Sequence, residues 1–237
     1  MRKGISYALI MAKSRTSPSF TDAAMTRGMN PLAALSFVRE TKGATQLENV
    51  LKALSEEDIE VLTGQTELKS NHWIPFMVHG RLLETIDQVC GTGDYATLFD
   101  VGRHMSARDV PRFFRPLIKL GNPGWILEVS TRLWRMYHNK GYWEVQRTPV
   151  TILATLNDHE ECHEAFCHTF VGWLTGALEL SGGYDVMVDH PVCQARGAPK
   201  CVFTARWVEK SASSGYREKT VSSKVKQPVA SNSNKRA

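Results

Sequence analysis

Four residues late in the chain have the donor types and the spacing of a metal site. Cys167 precedes Cys193 by 26 residues, His190 precedes it by three, and Cys201 follows it by eight. Thiolates and imidazoles are the ligands that suit a soft, tetrahedrally held ion. Between Cys193 and Cys201 runs Gln194-Ala195-Arg196-Gly197-Ala198-Pro199-Lys200, a turn that can fold the two thiols together. Cysteines buried as small apolar side chains are the competing reading of the same residues. Either use requires a helix carrying Cys167 to pack over a hairpin carrying the other three.

A second constellation overlaps the first. His159-Glu160-Glu161-Cys162-His163 satisfies H-E-x-x-H, which on a helix sets two histidines one turn apart beside a glutamate, as zinc hydrolysis needs. It falls where the long helix is expected to begin, and no Gly-x-x-His extension follows. Acidic residues in a first helical turn are also ordinary complements to the helix dipole. Eight histidines admit haem as well, but none has a context that marks an axial ligand. Phe99, Phe113, Phe114, Trp125, Trp134 and Trp143 could line a pocket, although core packing is the commoner use of such residues. No phosphate loop or nucleophile elbow stands out.

The elements that must position these groups follow from periodicity. Helices are expected from Asn30-Pro31, from a Thr45/Glu48 capping box, from Ser55 to Gly64, from Pro75 to Cys90, after Asp94, and from Asn122-Pro123 toward Gly141. Pro111 and Pro116 bracket a turn or short helix around Phe113-Phe114. The period then changes to that of strands at 143–147 and 150–156, a long helix runs from Asn157-Asp158 to Leu180, and two further strands cover 184–188 and 202–207. A helical half followed by a small antiparallel sheet and one long helix is an α+β architecture.

With 237 residues and 42% apolar content, the chain suits one globular domain over 29–209, between a basic N-terminal segment 1–28 and a basic, disordered tail 210–237. The net charge of +5 belongs to those ends: the tail carries seven Lys/Arg against Glu218 alone, and the body 29–209 is acidic. That distribution argues against specific nucleic-acid binding. No run has membrane-spanning length. Five cysteines, an odd number in a chain of ordinary size, fit a reducing cytoplasm better than a disulfide framework.

The segment from Cys167 to Trp207 resembles the C-terminal half of the 4-vinyl reductase domain, on Cys167, Gly172, Gly176, Cys193, Gly197, Cys201 and Phe203. The stretch 44–156 is similar to uncharacterised bacterial proteins of that domain type, on Trp73-Ile74-Pro75 and on Gly102-Arg103 after Asp100-Val101. In phenol-sensing members, one helix cysteine and two turn cysteines bind zinc together with a glutamate, whose position His190 takes here. The resemblance therefore implies a structural zinc on Cys167, His190, Cys193 and Cys201. It also implies a fold shared with subunits of TRAPP tethering complexes, a hydrophobic pocket and dimer formation. The function expected is a cytoplasmic sensory domain for a small hydrophobic molecule, not an enzyme, signalling through a homodimer or protein partner. The alternatives are an interaction scaffold with a TRAPP-like surface and a hydrolase using His159, Glu160 and His163.

Overall fold

The structure is a computed structural model and describes residues 23–64, 68–113 and 123–209. Most of the basic N-terminal segment, the basic tail, Phe114 and Pro116 lie outside the described residues.

Strand β1 (Met25–Arg27) pairs antiparallel with β2 (Trp73–Pro75), with Thr26 opposite Ile74. That pairing sets where the first helix begins. Helix α1 (Met29–Lys42) starts one residue earlier than its Asn-Pro signal, and Asn30 is buried, donating from Nδ2 to Thr26 Oγ1 at 2.7 Å. Helix α2 (Ala44–Ala53) has no side-chain cap, so the Thr45/Glu48 box does not form. Helix α3 (Glu56–Thr63) is capped by Ser55, whose Oγ accepts from Asp58 N–H at 3.1 Å. Helix α4 (Phe76–Cys90) presents Phe76, Leu82, Leu83 and Ile86 to the core, and its Arg81 reaches Asp58 through two hydrogen bonds at 2.8 and 2.5 Å. Helix α5 (Ala96–Phe113) begins at Asp94, whose Oδ1 accepts from Ala96 N–H at 3.1 Å. Pro111 lies in the last turn of α5, so the segment it was expected to open continues that helix through Phe113. Helix α6 (Pro123–Tyr137) has proline at its first position.

Strands β3 (Tyr142–Arg147), β4 (Thr151–Asn157), β5 (Gly183–Val192) and β6 (Cys201–Glu209) form one antiparallel sheet in the order β3-β4-β6-β5. Leu156 faces Cys201, Ala154 faces Phe203 and Ile152 faces Ala205, and all six are buried on the inner face. Helix α7 (Glu164–Leu180) lies between that face and α5. It begins six residues later than its composition suggests, since Asn157 still belongs to β4 and 158–163 form a loop. The α+β reading holds: two antiparallel sheets, helices first, and one long helix over the larger sheet. Among the described residues, no helix is long and apolar enough to cross a membrane.

Candidate ligand cavity and thiol cluster

Helix α7 builds both candidate sites, one from its aromatic stripe and the other from its first turn. Phe166, Phe170 and Trp173 recur at helical spacing on the face turned toward α6 and β3. Trp143 of β3 stacks on Phe170 with centroids 5.1 Å apart, and Trp134 of α6 closes the wall, its indole Nε1 donating to Lys140 O at 2.8 Å. These rings line a cavity of about 100 Å³. Its remaining lining includes Met105 and Asp109 of α5, Ser130 and Thr131 of α6, Val145, Ala154, Thr169 and Leu174, with His79 and His138 at one side. Trp173 Nε1 donates to Asp109 Oδ2 at 3.2 Å, which leaves the wall almost wholly apolar.

Three buried histidines gather at this wall, His79 and His138 in it and His159 behind it. His79, His138 and His159 are buried, and the Nδ1 of each lacks a hydrogen-bond partner. His159 packs edge-on against Phe76 at 4.5 Å, and Trp134 stacks over His138 at 3.8 Å. Burial, with the neighbouring His163 second, pushes His79 down to about 3. Burial lowers His159 to about 4 against the opposing Glu161, Cys201 and Glu160, and drives His138 well below the usual imidazole range. All three are neutral at physiological pH.

The H-E-x-x-H segment is not helical. His163 is the N-cap of α7, its Nδ1 accepting from Ala165 N–H at 3.3 Å, and its Nε2 lies 3.5 Å from Glu84. Glu160 is ion-paired with Lys140 at 2.9 Å. His159 and His163 therefore share no helical face, and the geometry of a zinc hydrolase is not formed.

The thiol cluster is formed. Cys167 comes from the first turn of α7, Cys201 opens β6, and Cys193 precedes the 3-10 turn Gln194–Arg196. Gly197 closes that turn at φ +91°, a conformation that favours glycine, and this sends the chain back so that Cys201 Sγ accepts from Gln194 N–H at 3.3 Å. Donor atoms of Cys167, His190, Cys193 and Cys201 all lie within 4.8 Å of one another. Cys162, which sequence spacing did not single out, joins them: its sulfur is 3.5 Å from Cys167 and 3.7 Å from Cys201. The thiols divide one charge unequally. Hydrogen bonds from Cys162 and Cys167 pull Cys201 far below the usual thiol range, aided by His190 and Gln194 N–H. Cys162 is pushed up to about 12, the lowering bond with Cys167 being outweighed by Cys201, burial and the charge of Cys193, while Cys167 is driven up by its bonds to Cys162 and Cys201 and by burial.

Of the aromatics picked out from the sequence, Trp134 and Trp143 line the cavity, whereas Trp125 is exposed and Phe99 lies beneath Arg103. Phe166, Phe170 and Trp173 were legible as a stripe within the expected long helix. Nothing in the local sequence marked His79 or His138.

Fold and site together define an α+β domain in which an aromatic cavity and a thiol cluster share the N-terminal half of one helix. No family model matches the sequence, and no curated protein matches it. Solved structures do. The chain is similar to the Fe(II) unliganded H-NOX (heme–nitric oxide/oxygen binding) protein from K. algicida, with TM-score 0.58 and 13% identity over 78% of this chain and 98% of that one. An S. oneidensis H-NOX protein in the Fe(II) state matches at TM-score 0.59 and 12% identity, over 77% of this chain and 96% of that one. The IWP-051-bound Fe(II)CO H-NOX from Shewanella woodyi gives 0.55 and 12%, over 80% and 98%. At such identity the likeness establishes the fold.

Two expectations are corrected. The 4-vinyl reductase and TRAPP resemblance is overturned: the solved structures that match are H-NOX proteins, and the resemblance rested on a few short motifs, which leave the arrangement of the elements open. Zinc as the domain's cofactor falls with it: the similar proteins are described in Fe(II), Fe(II)NO and Fe(II)CO states, and thiol geometry alone selects no particular metal.

Haem, the group this fold implies, does not fit the residues present. The cavity of about 100 Å³ is well below the several hundred Å³ of a cofactor-sized site. Among the described lining residues there is no Lys or Arg to pair with porphyrin carboxylates. Neutral, buried His79 and His138 each keep an Nδ1 without a hydrogen-bond partner and are suitable nitrogen donors, so the mismatch lies in the volume and in the missing cations.

Proposed function

We propose that this domain is a sensor that binds a small, predominantly apolar molecule in the aromatic cavity and passes occupancy to a protein partner or a second copy of itself. The observation that carries this reading is the cavity: almost wholly apolar, ringed by Trp134, Trp143, Phe166, Phe170 and Trp173, and about 100 Å³ in volume. Apolar cavities of about 150 Å³ stay dry and take benzene, so a single ring or a short branched chain is the size class. The walls come from helices α1, α4, α5, α6 and α7 and from two strands, so filling the space stiffens contacts among elements distant in sequence. Such a site binds; among the described residues it presents no activated nucleophile beside a base.

A thiophilic metal ion held by Cys167, His190, Cys193 and Cys201 would have a structural role, clamping the start of α7 to the β5–β6 turn. Five free thiols are at home in a reducing, cytoplasmic setting.

The test is a titration of the full chain with benzene, followed by thermal shift and by methyl NMR. Saturable binding that raises the melting temperature is expected, and Ala154→Phe, which fills the cavity from β4, should abolish it. Haemin is titrated in parallel. No binding of benzene to the native chain would sink the cavity reading. A stoichiometric haemin complex lost in both His79→Ala and His138→Ala would replace it with a haem site.

A further inference from the structure

Two histidines border the aromatic cavity from different elements, His79 from α4 and His138 from just after α6. They are 1% and 4% exposed. Of the described side chains that line the cavity, these two alone carry a buried polar atom without a hydrogen-bond partner, the Nδ1 of each. Other polar groups of the lining are engaged: Thr131 Oγ1 donates to Glu128 O at 2.7 Å, Thr169 Oγ1 to Ala165 O at 2.9 Å, and Asn30 Nδ2 to Thr26 Oγ1. A buried polar atom left unbonded forfeits the bond it had with water, which is why most such atoms in folded proteins have partners. Both imidazoles stand edge-on to Phe166, at centroid distances of 6.4 Å for His79 and 5.8 Å for His138. Trp134 covers a face of His138 at 3.8 Å, but a hydrogen bond to an imidazole nitrogen runs in the ring plane, so that stacking does not block it.

We infer that the molecule bound in the cavity is a small alcohol, one ring or short branched chain bearing a single hydroxyl, and that His79 and His138 recognise that hydroxyl. The inference rests on the cavity reading above and specifies its ligand. A neutral imidazole has one nitrogen that donates and one that accepts, and a hydroxyl does both. It can therefore satisfy either nitrogen of each ring, where a carbonyl could only accept and a methyl group could do neither. Burial keeps both rings neutral at physiological pH, so a carboxylate or an ammonium would meet no opposite charge at the histidines and would lose its hydration for nothing. The aromatic walls take the apolar remainder of the molecule. A ligand held in this way ties α4 to the end of α6, two elements joined at the cavity and distant in sequence.

Cyclopentanol and methylcyclopentane are the probes, a pair of nearly equal shape in which a hydroxyl replaces a methyl group. Each is titrated into the full chain. Cyclopentanol is expected to bind at least as tightly as methylcyclopentane, although water holds its hydroxyl and does not hold the methyl group. His138→Phe, which keeps a ring beneath Trp134, should lower the affinity for the alcohol about tenfold and change that for the hydrocarbon by less than about twofold. Nitrogen-15 NMR of the unaltered chain asks the same question without a variant: the imidazole resonances of His79 and His138 should move far more with cyclopentanol than with methylcyclopentane. Methylcyclopentane bound while cyclopentanol is refused, or alcohol bound with both imidazoles unmoved, would overturn the inference and leave the apolar cavity standing. Neither probe bound, with benzene refused as well, would overturn both.

Discussion

His79, His138 and His159 are neutral in the core, and protonating any of them opposes folding. Unfolded, each titrates near 6.5; folded, His79 titrates at about 3, His159 at about 4, and His138 well below 6.5. Between these limits the unfolded chain binds more protons than the folded one. Stability is therefore full above pH 6.5 and is lost as the pH falls from there toward 4. The slope reaches about 1.4 kcal/mol per pH unit for each histidine. Urea midpoints measured between about pH 7.5 and about pH 5 should fall steeply, and His138→Phe, which retains a ring beneath Trp134, should remove one proton from that slope. A flat profile would mean that these imidazoles are not buried as described. None of this was legible in the sequence, where the three histidines are separated by up to 80 positions and only His159 lay in a motif.

Helices α5 and α7 cross at backbone contact, and two glycines permit it. A Cβ on Gly102 would strike Thr169 O and Trp173 N, and one on Gly172 would strike Phe99 O. Backbone cannot step aside, so Gly172→Ala and Gly102→Ala should each cost about 1–3 kcal/mol or more in chemical unfolding. At Gly176 the same methyl would meet chiefly the Ser106 hydroxyl, a side-chain atom that can rotate, so Gly176→Ala should cost distinctly less. Equal losses at all three positions would deny the close crossing. Element positions were largely readable: the Ser55 cap, the Asp94 bond to Ala96 N–H, the Pro123 start and the switch to period two after Gly141 reflect local chemistry. The start of α7 was not, because Asn157 continues the β4 ladder opposite Tyr142 and the sheet outcompetes the cap.

Across the whole molecule, the cavity and the thiol cluster share α7, with Phe166 in one and the adjacent Cys167 in the other. Binding at two sites that order the same helix end must be coupled, and the coupling is reciprocal. Benzene in the cavity should slow cobalt loss to a competing chelator, and cobalt should tighten benzene binding by the same factor. Hydrogen exchange supplies the location: removing the metal should deprotect the loop 158–163 and the first turn of α7 before the sheet. Exchange that rises evenly throughout would show the cluster to be an element of global stability instead of a local clamp.

Sequence by itself determined the α+β class, most helix and strand positions, and the glycine turn that returns Cys201 toward Cys193. These depend on hydrophobic period, caps and one glycine turn, all of which act over a few residues. Only the tertiary structure decided three further matters. It carried the H-E-x-x-H segment out of helical form, because β4 extends through Asn157 and α7 waits for His163 to cap it. It brought Cys162 to the other thiols through that non-helical loop. It also set the cavity at about 100 Å³, since that space is left between aromatic rings of α6, β3 and α7, and no local pattern fixes how closely they approach.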